Sequence, residues 1–335
     1  MTDTPPFLSN VPAPEVVRLG TRGSLLARTQ SQLVADLLTP HLQVLSLGSR
    51  IELVTITTSG DRQQTGALQE AGGKGLFTKE LEQALLDHSI DFAVHSAKDL
   101  PVVIPPGLML ACTPEREIPN DIWIGHAGMR MEDLPAGAVV GTTSLRRQAQ
   151  LMALRPDVKT VVFRGNIDTR LRKVANMEGG VQGTFLAAAG LRRTNLVPAN
   201  AVQLPTDQFI PAAGQGTLAL ECRADDAFTR ALLGRLHDAR TFASLEFERA
   251  IIAALAGSCL APIAVCAEPR KPADGPGWIV RALVASPDGK AMARATLMTE
   301  DPNGLPELQP LLLQTLESRG AREILARLAS STPPS

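Results

Sequence analysis

Strand-like and helix-like stretches alternate along the first two thirds of the chain, and this alternation is what most constrains its fold. Ile51–Ile56 is rich in β-forming residues, whereas Leu33–Leu38 and Phe77–Leu85 carry apolar residues at helical spacing. Strands and helices in alternation build βαβ units. The sequence therefore predicts an α/β fold with a largely parallel sheet.

Two segments rich in proline predict where the chain passes between α/β units. Pro114–Pro119 follows the first unit, and strand candidates then recur at Ala138–Val140, Thr160–Phe163 and Gly183–Ala188. Leu204–Gly216 predicts the passage back. Two α/β lobes joined by two crossings would form a cleft, and ligands favour such places.

The pattern changes after about residue 238. A helix over Thr241–Leu255 precedes two β runs, Trp278–Ser286 and Ala291–Thr299, which predicts a smaller α+β C-terminal domain. A chain of 335 residues with 44% hydrophobic content is long enough for several domains. The predicted boundaries are 1–16 for a disordered leader, 17–114 plus 215–236 for domain 1, 118–211 for domain 2 and 239–330 for domain 3.

Charge and the N-terminal sequence restrict the class of partner and the compartment. The formal net charge is −1, with 33 basic and 34 acidic residues, so no global field favours nucleic acid or an anionic membrane. Residues 1–17 contain no apolar segment typical of a signal peptide or a membrane span. We therefore expect a cytoplasmic protein. Its cysteines show no CxxC pairing, so metal and disulfide sites are weak hypotheses.

Two polar motifs stand at the expected ends of strands in the first lobe. Ser24 can cap the helix that follows it, and Arg22 would add a charge that favours an anion there; a plain capping loop is the alternative. His95-Ser-Ala-Lys-Asp99 follows an apolar strand, where open α/β folds bind ligands. The alternatives are a structural His95 and a surface pair of Lys98 with Asp99.

The second lobe carries arginines at its expected turns, at positions 146, 147, 164, 170, 192 and 193. Several guanidinium groups on one face would suit a ligand with many carboxylates, although solvated helix faces explain any single one equally well. Cys259 lies in a loop bounded by glycine and proline. It would be a nucleophile if nearby cations lowered its pKa, and a buried inert cysteine is the alternative.

Taken in order, these motifs resemble the porphobilinogen deaminase family from about Arg18 to Pro262. The ordered set is specific, and its members are Thr21–Ser24, Gly72–Phe77, His95–Asp99, Ser144–Arg147, Arg164–Asn166 and Pro211–Gly216. The resemblance implies three domains, the first two similar to type II periplasmic binding proteins. It also implies a monomeric transferase with hydroxymethylbilane synthase activity, which joins four porphobilinogen molecules and releases a linear tetrapyrrole for heme biosynthesis.

The same resemblance implies a dipyrromethane cofactor, joined by a thioether to Cys259, and no metal or nucleotide. It assigns the catalytic carboxylate to Asp99. The residues implied to bind the cofactor are Ser96, Lys98, Asp99, Ser144, Arg146 and Arg147. Those implied to bind the substrate are Arg22, Ser24, Phe77, Arg164, Arg170 and Arg193.

The chemistry explains why such residues are needed. Porphobilinogen must lose ammonia to give an electrophilic azafulvene, which the free α-carbon of the growing chain attacks. A carboxylate can hydrogen-bond the pyrrole N–H groups, stabilise the developing positive charge and move protons. Each pyrrole also carries an acetate and a propionate, so a growing chain accumulates negative charge that requires several cations.

The sequence departs from the family pattern at two positions, and two other functions compete with this interpretation. Glu70 stands where some members have lysine, and Ser258 where glycine is common. An oxyanion-binding protein of the same two-lobed fold is the main rival, but it would have no need for the Cys259 loop. A nucleic-acid regulator fits poorly, because two tryptophans and no tyrosine offer little base stacking.

Overall fold

The computed structural model of the protein describes residues 14–45, 48–59, 78–255 and 261–331. Its contacts divide the chain into two compact units, unit 1 over Met1–Arg116 with Thr217–Phe242, and unit 2 over Glu117–Gly216 with Ala243–Ser335. The first passage between units lies inside the predicted crossing at 114–119. The second lies at the end of the predicted crossing at 204–216. The predicted division into three domains stays a prediction.

Unit 1 contains one five-stranded sheet with helices on its faces. Its strands are β1 Val16–Arg22, β2 Arg50–Ile56, β3 Phe92–Ser96, β4 Leu108–Cys112 and β10 Leu218–Arg223. Its helices are α1 Leu25–Leu45, α2 Lys79–Leu86 and α6 Ala227–Leu233. The strand order is β2-β1-β3-β10-β4.

The prediction of a largely parallel sheet is confirmed apart from one strand, since four of the five strands of this sheet run in the same direction. β1 runs parallel to β2 and β3, but β10 runs antiparallel to both β3 and β4. Crossover helices impose a parallel direction on the strands they connect. β10 instead enters after the chain has returned from unit 2, so no such helix fixes its direction.

Apolar stripes on the helices attach them to this sheet. Val34, Leu38 and Leu42 of α1 are fully buried against one face. Leu81 and Leu85 of α2 pack on the other face. Burying such side chains is worth roughly 1.5–3 kcal/mol each. The two helices therefore fix the loops at the sheet edge from both sides.

Unit 2 begins with a second five-stranded sheet of similar pattern. Its strands are β5 Asp121–Gly125, β6 Val139–Gly141, β7 Lys159–Val161, β8 Val181–Ala187 and β9 Val202–Gln203. Its helices are α3 Leu145–Leu154, α4 Ile167–Ala175 and α5 Ala188–Arg193. The order is β7-β6-β8-β5-β9, with β6 parallel to β7 and β8 and β5 antiparallel to β8 and β9. The three strands predicted between residues 138 and 188 are confirmed, with small shifts at their ends.

The rest of unit 2 is the predicted α+β part. Its antiparallel sheet contains β11 Ile263–Pro269, β12 Trp278–Ala285 and β13 Met292–Thr299. Its helices are α7 Ala239–Leu255, α8 Leu305–Ser318 and α9 Ala321–Ser331. Buried residues of α7, α8 and α9 share one apolar core with this sheet. The α/β class with a smaller α+β C-terminal part is thus confirmed.

Inside unit 2, the turn between β12 and β13 packs on helix α3. Gly289 has a φ of +69°, and a Cβ there would lie 2.5 Å from the carbonyl oxygen of Ala149. Nε2 of Gln148 donates to the carbonyl of Pro287 at 3.3 Å. Ala149 is itself buried with Cys266 and Leu283 of the smaller sheet. Contacts from the α+β part therefore help to fix α3, whose first turn carries two predicted site residues.

Between residues 14 and 331, leaving aside the gaps given above, no helix combines the length and the apolar character needed to cross a membrane.

Candidate active site

The predicted site residues of unit 1 follow two neighbouring strands of its sheet. β1 ends at Arg22 and β3 ends at Ser96. The two strands are parallel, so they end at the same edge, where open α/β sheets bind ligands. This edge carries Arg22, Ser24, Ser96, Lys98 and Asp99.

The loop after β1 caps helix α1, as its sequence predicts. Oγ of Ser24 accepts a hydrogen bond from the backbone N–H of Ala27 at 3.3 Å. Arg22 is half-buried directly before this helix start. The capping interpretation is therefore confirmed, and an anion site beside it stays a prediction.

The turn after β3 exposes the two charged residues of its motif. Residues Ala97–Asp99 form a single 3₁₀ turn, in which Lys98 and Asp99 are exposed. The backbone N–H of Ala97 donates to the carbonyl of Thr217 at 3.0 Å and so attaches the turn to β10. Asp99 thus lies on a fixed turn with its carboxylate accessible.

His95 is a buried structural residue, the alternative that the sequence left open. Its Nε2 lies 3.0 Å from Oε2 of Glu221, and both side chains are buried. Glu82 of α2 faces this pair. Burial raises the pKa of Glu82, a hydrogen bond from Thr78 opposes this, and the charge of Glu221 raises the pKa further. These buried groups link β3, β10 and α2 directly before the turn that carries Asp99.

In unit 2 the predicted arginines follow three adjacent parallel strands. β6 leads to Ser144 and helix α3, β7 leads to Arg164, and β8 leads through α5 to Arg193. Because these strands are parallel neighbours, the segments that follow them leave the same sheet edge. That the arginine side chains themselves converge on one face stays a prediction.

Arg146 and Arg147 lie against one buried carboxylate, Asp121 at the start of β5. Nη1 of Arg146 donates to Oδ2 of Asp121 at 2.6 Å, and Nη2 of Arg147 donates to Oδ1 at 2.8 Å. The arginine side chains are 6% and 8% exposed, and Asp121 is 0% exposed. Each arginine also donates to a backbone carbonyl, of Ile210 and Phe185 respectively.

The charges in this cluster do not balance. Burial by itself raises the pKa of Asp121, but the charges of Arg146 and Arg147 and the hydrogen bonds from Arg146 and Gln215 hold it well below the usual carboxyl range. Asp121 is therefore ionised at neutral pH, and two guanidinium groups share one negative charge. Nε and Nη2 of Arg146 make no hydrogen bond in the described part of the chain. The cluster thus keeps a net positive charge and spare donors, which a carboxylate ligand would satisfy.

Ser144 caps helix α3 in front of these arginines. Its Oγ accepts from the backbone N–H of Arg147 at 3.4 Å, and its own N–H donates to Oγ1 of Thr142 at 3.1 Å. The helix N-terminus adds a partial positive charge to the same place. Ser144, Arg146 and Arg147, which the sequence grouped together, are therefore close in space.

Arg164 lies in the turn between β7 and α4, and Arg170 lies in α4. Nε of Arg170 donates to the carbonyl of Gly165 at 2.8 Å, and Lys173 donates to the carbonyl of Arg164 at 3.2 Å. Gly165 has a φ of +127°, a conformation that favours glycine. These bonds attach the turn between β7 and α4, which carries Arg164, to helix α4, which carries Arg170.

Arg193 makes a backbone contact that the sequence did not predict. Its Nη2 donates to the carbonyl of Gly216 at 2.7 Å. Burial lowers the pKa of Arg193 to about 10, although the charge of Glu117 opposes this. Arg193 stays a cation at neutral pH. It holds the last residue of unit 2 before the chain returns to unit 1.

Two predicted site residues lie outside the described residues, Phe77 and Cys259. The Gly72–Phe77 motif and the centre of the Cys259 loop therefore carry no structural account. The other cysteines, Cys112, Cys222 and Cys266, are buried free thiols, and burial raises the pKa of Cys112 and Cys222 to about 12. Among the residues described, no group of three or more His, Cys, Asp or Glu side chains could hold a metal ion.

Three residues that contact predicted site residues or their partners were not predicted from the sequence: Gln30, Asp121 and Gln215. Gln30 shares the helical stripe of Val34 and Leu38, so a polar residue at a buried position was a usable signal. Asp121 opens an otherwise apolar strand. Gln215 belongs to the Pro211–Gly216 motif, and its Nε2 donates to the carbonyl of Pro119 at 2.6 Å and to Oδ1 of Asp121 at 3.0 Å.

A family model described as porphobilinogen deaminase, dipyromethane cofactor binding domain, matches residues 17–231. The chain is similar to the porphobilinogen deaminase of Brevibacillus brevis, with 42% identity over 311 residues, covering 93% of this chain and 97% of that protein. It is also similar to the porphobilinogen deaminase of Syntrophotalea carbinolica, with 44% identity over 319 residues, covering 95% and 98%. Both matches extend over nearly the full length of the two proteins compared.

Among solved structures, PhnD1 from Prochlorococcus marinus in complex with methylphosphonate matches with a TM-score of 0.36 and 11% identity, over 66% of this chain and 84% of that chain.

Proposed function

The chain belongs to the porphobilinogen deaminase family, and on this premise we propose how its own residues carry out the condensation of four porphobilinogen molecules. The reaction joins them head to tail with loss of ammonia. Hydrolysis then releases linear hydroxymethylbilane for tetrapyrrole and heme biosynthesis. The enzyme is a transferase, and its cofactor is dipyrromethane.

We assign attachment of the cofactor to the thiol of Cys259, through a thioether. When bound, this primer supplies the free α-carbon to which each new pyrrole is joined. Cys259 stands in the sequence between α7, which ends at Leu255, and β11, which begins at Ile263. These two flanking elements share one buried core, and this common packing supports the assignment.

Carboxylate recognition rests on one observation, the buried cluster of two guanidinium groups and one carboxylate. Its excess positive charge is costly in a buried place unless an anion is nearby. The cofactor carries acetate and propionate groups, which fit the spare donors of Arg146. The proposed cofactor-binding set consists of Ser96, Lys98, Asp99, Ser144, Arg146 and Arg147.

Asp99 is the proposed catalytic residue. Its carboxylate is exposed on a turn attached to β10, so it can accept hydrogen bonds from pyrrole N–H groups. A carboxylate in this position stabilises positive charge as ammonia leaves, and it can take up the proton released on condensation. Lys98 beside it offers a donor to a ring carboxylate.

The incoming porphobilinogen also brings two carboxylates. We assign their recognition to one group of residues, Arg22, Ser24, Phe77, Arg164, Arg170 and Arg193. For unit 1, the cap of α1 supports this, because Arg22 stands directly before a helix N-terminus. For unit 2, the segment between β7 and α4 supports this assignment, because Arg164 lies directly before α4 and Arg170 lies within it. Arg193 has an additional structural contact to Gly216, so its substitution is expected to affect the backbone as well.

We further propose that the enzyme is a cytoplasmic monomer that binds neither nucleic acid nor membrane. The formal net charge of −1 supports the absence of a polyanionic partner. Gel filtration with light scattering at several concentrations tests the monomer, and a mass that rises towards twice 35.6 kDa would contradict it.

Intact mass tests the attachment site. The native chain should carry an excess equal to two linked pyrrole units, and Cys259→Ala should carry none. If the native protein is unmodified, it is incubated with porphobilinogen and measured again. A chain that stays unmodified after this treatment would contradict the proposal.

Kinetics test Asp99. Asp99→Asn should fold and keep the cofactor mass, yet lose turnover about a hundredfold or more, because general acid–base groups contribute on that scale. Asp87→Asn is a matched control, since Asp87 is exposed in the same unit and accepts only from Gln83 at 2.8 Å in the described structure. Near-normal turnover of Asp99→Asn would refute its assignment.

A further inference from the structure

A buried amide on helix α1 contacts the hydroxyl of Ser96. Nε2 of Gln30 lies 3.1 Å from Oγ of Ser96, and Oε1 of the same amide lies 3.3 Å from it. The Gln30 residue is 4% exposed. Within the described chain, Ser96 is the partner of both polar atoms of this side chain.

Packing alone does not explain a glutamine at this position. Gln30 lies one helical turn before Val34 and two turns before Leu38, in the stripe that faces the core. Burying an amide costs free energy unless it is hydrogen-bonded. A leucine or methionine would fill the stripe without that cost, so the amide is expected to serve the residue that it contacts.

Gln30 also joins the two loops of the unit 1 edge. Helix α1 starts directly after the loop of Arg22 and Ser24, whereas Ser96 ends β3, just before the turn of Asp99. Through Gln30, the helix that follows the first loop contacts the strand that leads into the second.

We propose that Gln30 is a positioning residue that keeps the hydroxyl of Ser96 oriented as a hydrogen-bond donor to a carboxylate of the pyrrole chain. This inference rests on the proposed role of Ser96 in holding the cofactor. It adds a residue that acts through Ser96.

The chemistry of the pair explains the effect. A hydroxyl has one hydrogen to donate and can accept at the same time. Nε2 of Gln30 donates to Oγ, which fixes the oxygen and leaves its hydrogen free to turn from Oε1 to an arriving carboxylate. A carboxylate can only accept, so a hydroxyl held in this way is ready to bind it. An acceptor-only side chain at position 30 would instead take the hydroxyl hydrogen for itself.

A double-mutant cycle on apo-protein tests the coupling. The variants are Gln30→Met, Ser96→Ala and both together, and the readout is the rate of primer assembly followed by intact mass after adding porphobilinogen. Gln30→Met should slow assembly about tenfold, the loss expected for one hydrogen bond to a charged group. The double variant should be no slower than Ser96→Ala alone.

Gln32→Met is the matched control. Gln32 lies on the exposed face of the same helix and donates to Asp36 at 2.7 Å. This variant should assemble the primer at the native rate. Thermal midpoints of all variants, measured alongside, show which of them are folded at the assay temperature.

Gln30→Glu gives a second, independent readout. At neutral pH the introduced carboxylate accepts the hydrogen of Ser96, so assembly should be slower than in Gln30→Met. As the pH falls and the introduced carboxyl becomes protonated, it can donate to Oγ as the amide does, and the rate relative to native should recover. A purely structural role would give both variants the same pH profile.

The outcomes separate the inference from the function on which it rests. If Gln30→Met and Ser96→Ala slow assembly independently, so that their effects multiply, Gln30 does not act through Ser96 and the inference fails while the role of Ser96 stands. If Ser96→Ala assembles the primer at the native rate, the proposed role of Ser96 fails and the inference with it. Identical pH profiles for Gln30→Met and Gln30→Glu would also overturn it.

Discussion

Replacing Asp121 with asparagine removes the single negative charge between two buried guanidinium groups. The side chain keeps its shape, but one oxygen becomes an NH₂ group that points at the N–H donors of an arginine. In the native protein Asp121 accepts hydrogen bonds from Arg146, Arg147 and Gln215. After the change, two cations remain buried with no counter-charge from position 121.

The magnitude follows from burial. Asp121 is 0% exposed and its two partners are less than a tenth exposed, so water cannot replace the lost charge. Removing one partner of a buried ion pair costs about 3–5 kcal/mol. We expect Asp121→Asn to lower the free energy of unfolding by about this amount.

The assay is urea unfolding of both proteins, with Asp157→Asn as the matched control. Asp157 also accepts hydrogen bonds from an arginine, Arg155, at 2.7 and 2.8 Å, but on the surface. Exposed pairs contribute little, so this control should unfold with the native protein. Equal losses for Asp121→Asn and Asp157→Asn would refute the argument from burial.

The pH dependence adds a check of sign. Because the folded protein holds the pKa of Asp121 below its ordinary value, the stability from this carboxylate is complete above the unfolded pKa of about 3.9 and is lost as the pH falls below it. The difference between native protein and Asp121→Asn should be constant above about pH 5 and shrink below about pH 4. A difference that grows on acidification would contradict the assigned charge.

Two further predictions concern the frame around the site. Gly289→Ala should lower the free energy of unfolding by about 2–4 kcal/mol, since the new methyl group meets the backbone of α3 and the φ is positive. The control is Gly275→Ala, which has a positive φ but open space around it and should lower the free energy of unfolding by about 1 kcal/mol. Equal losses for the two variants would refute the steric contact between residue 289 and α3. Cys112 and Cys222 should resist iodoacetamide in the folded protein at pH 8, because burial raises the pKa of both thiols to about 12. Peptide mass mapping measures this, and rapid alkylation of either would show that the strand opens.

Local patterns predicted the local structure of the site. Ser24 caps the helix that follows it, because capping needs only a hydroxyl a few residues before an N–H group. The apolar run before Ser96 predicted β3 because a buried strand is continuous in sequence. These features depend on residues that are close neighbours along the chain.

Long-range pairing was not predictable in the same way. Asp121 lies 25 residues before Arg146 and 66 residues separate Gln30 from Ser96, so no spacing rule connects them. The antiparallel direction of β10 also escaped prediction, because it depends on where the chain returns from unit 2. The sequence therefore pointed to Arg146 and Arg147 as candidate site residues, but not to the buried carboxylate that they share.

The insertion of β10 between β3 and β4 has a consequence for the newborn chain. β4 ends at Cys112 and β10 begins at Leu218, so the ribosome makes residues 117–216 of unit 2 between these two strands. At translation speeds of about 5–20 residues per second, the delay is about 5–20 seconds. During that interval the facing edges of β3 and β4 wait for their partner, and open strand edges attract other chains. Unit 1 therefore exposes unpaired strand edges for longer than it would if the strands of its sheet were continuous in sequence.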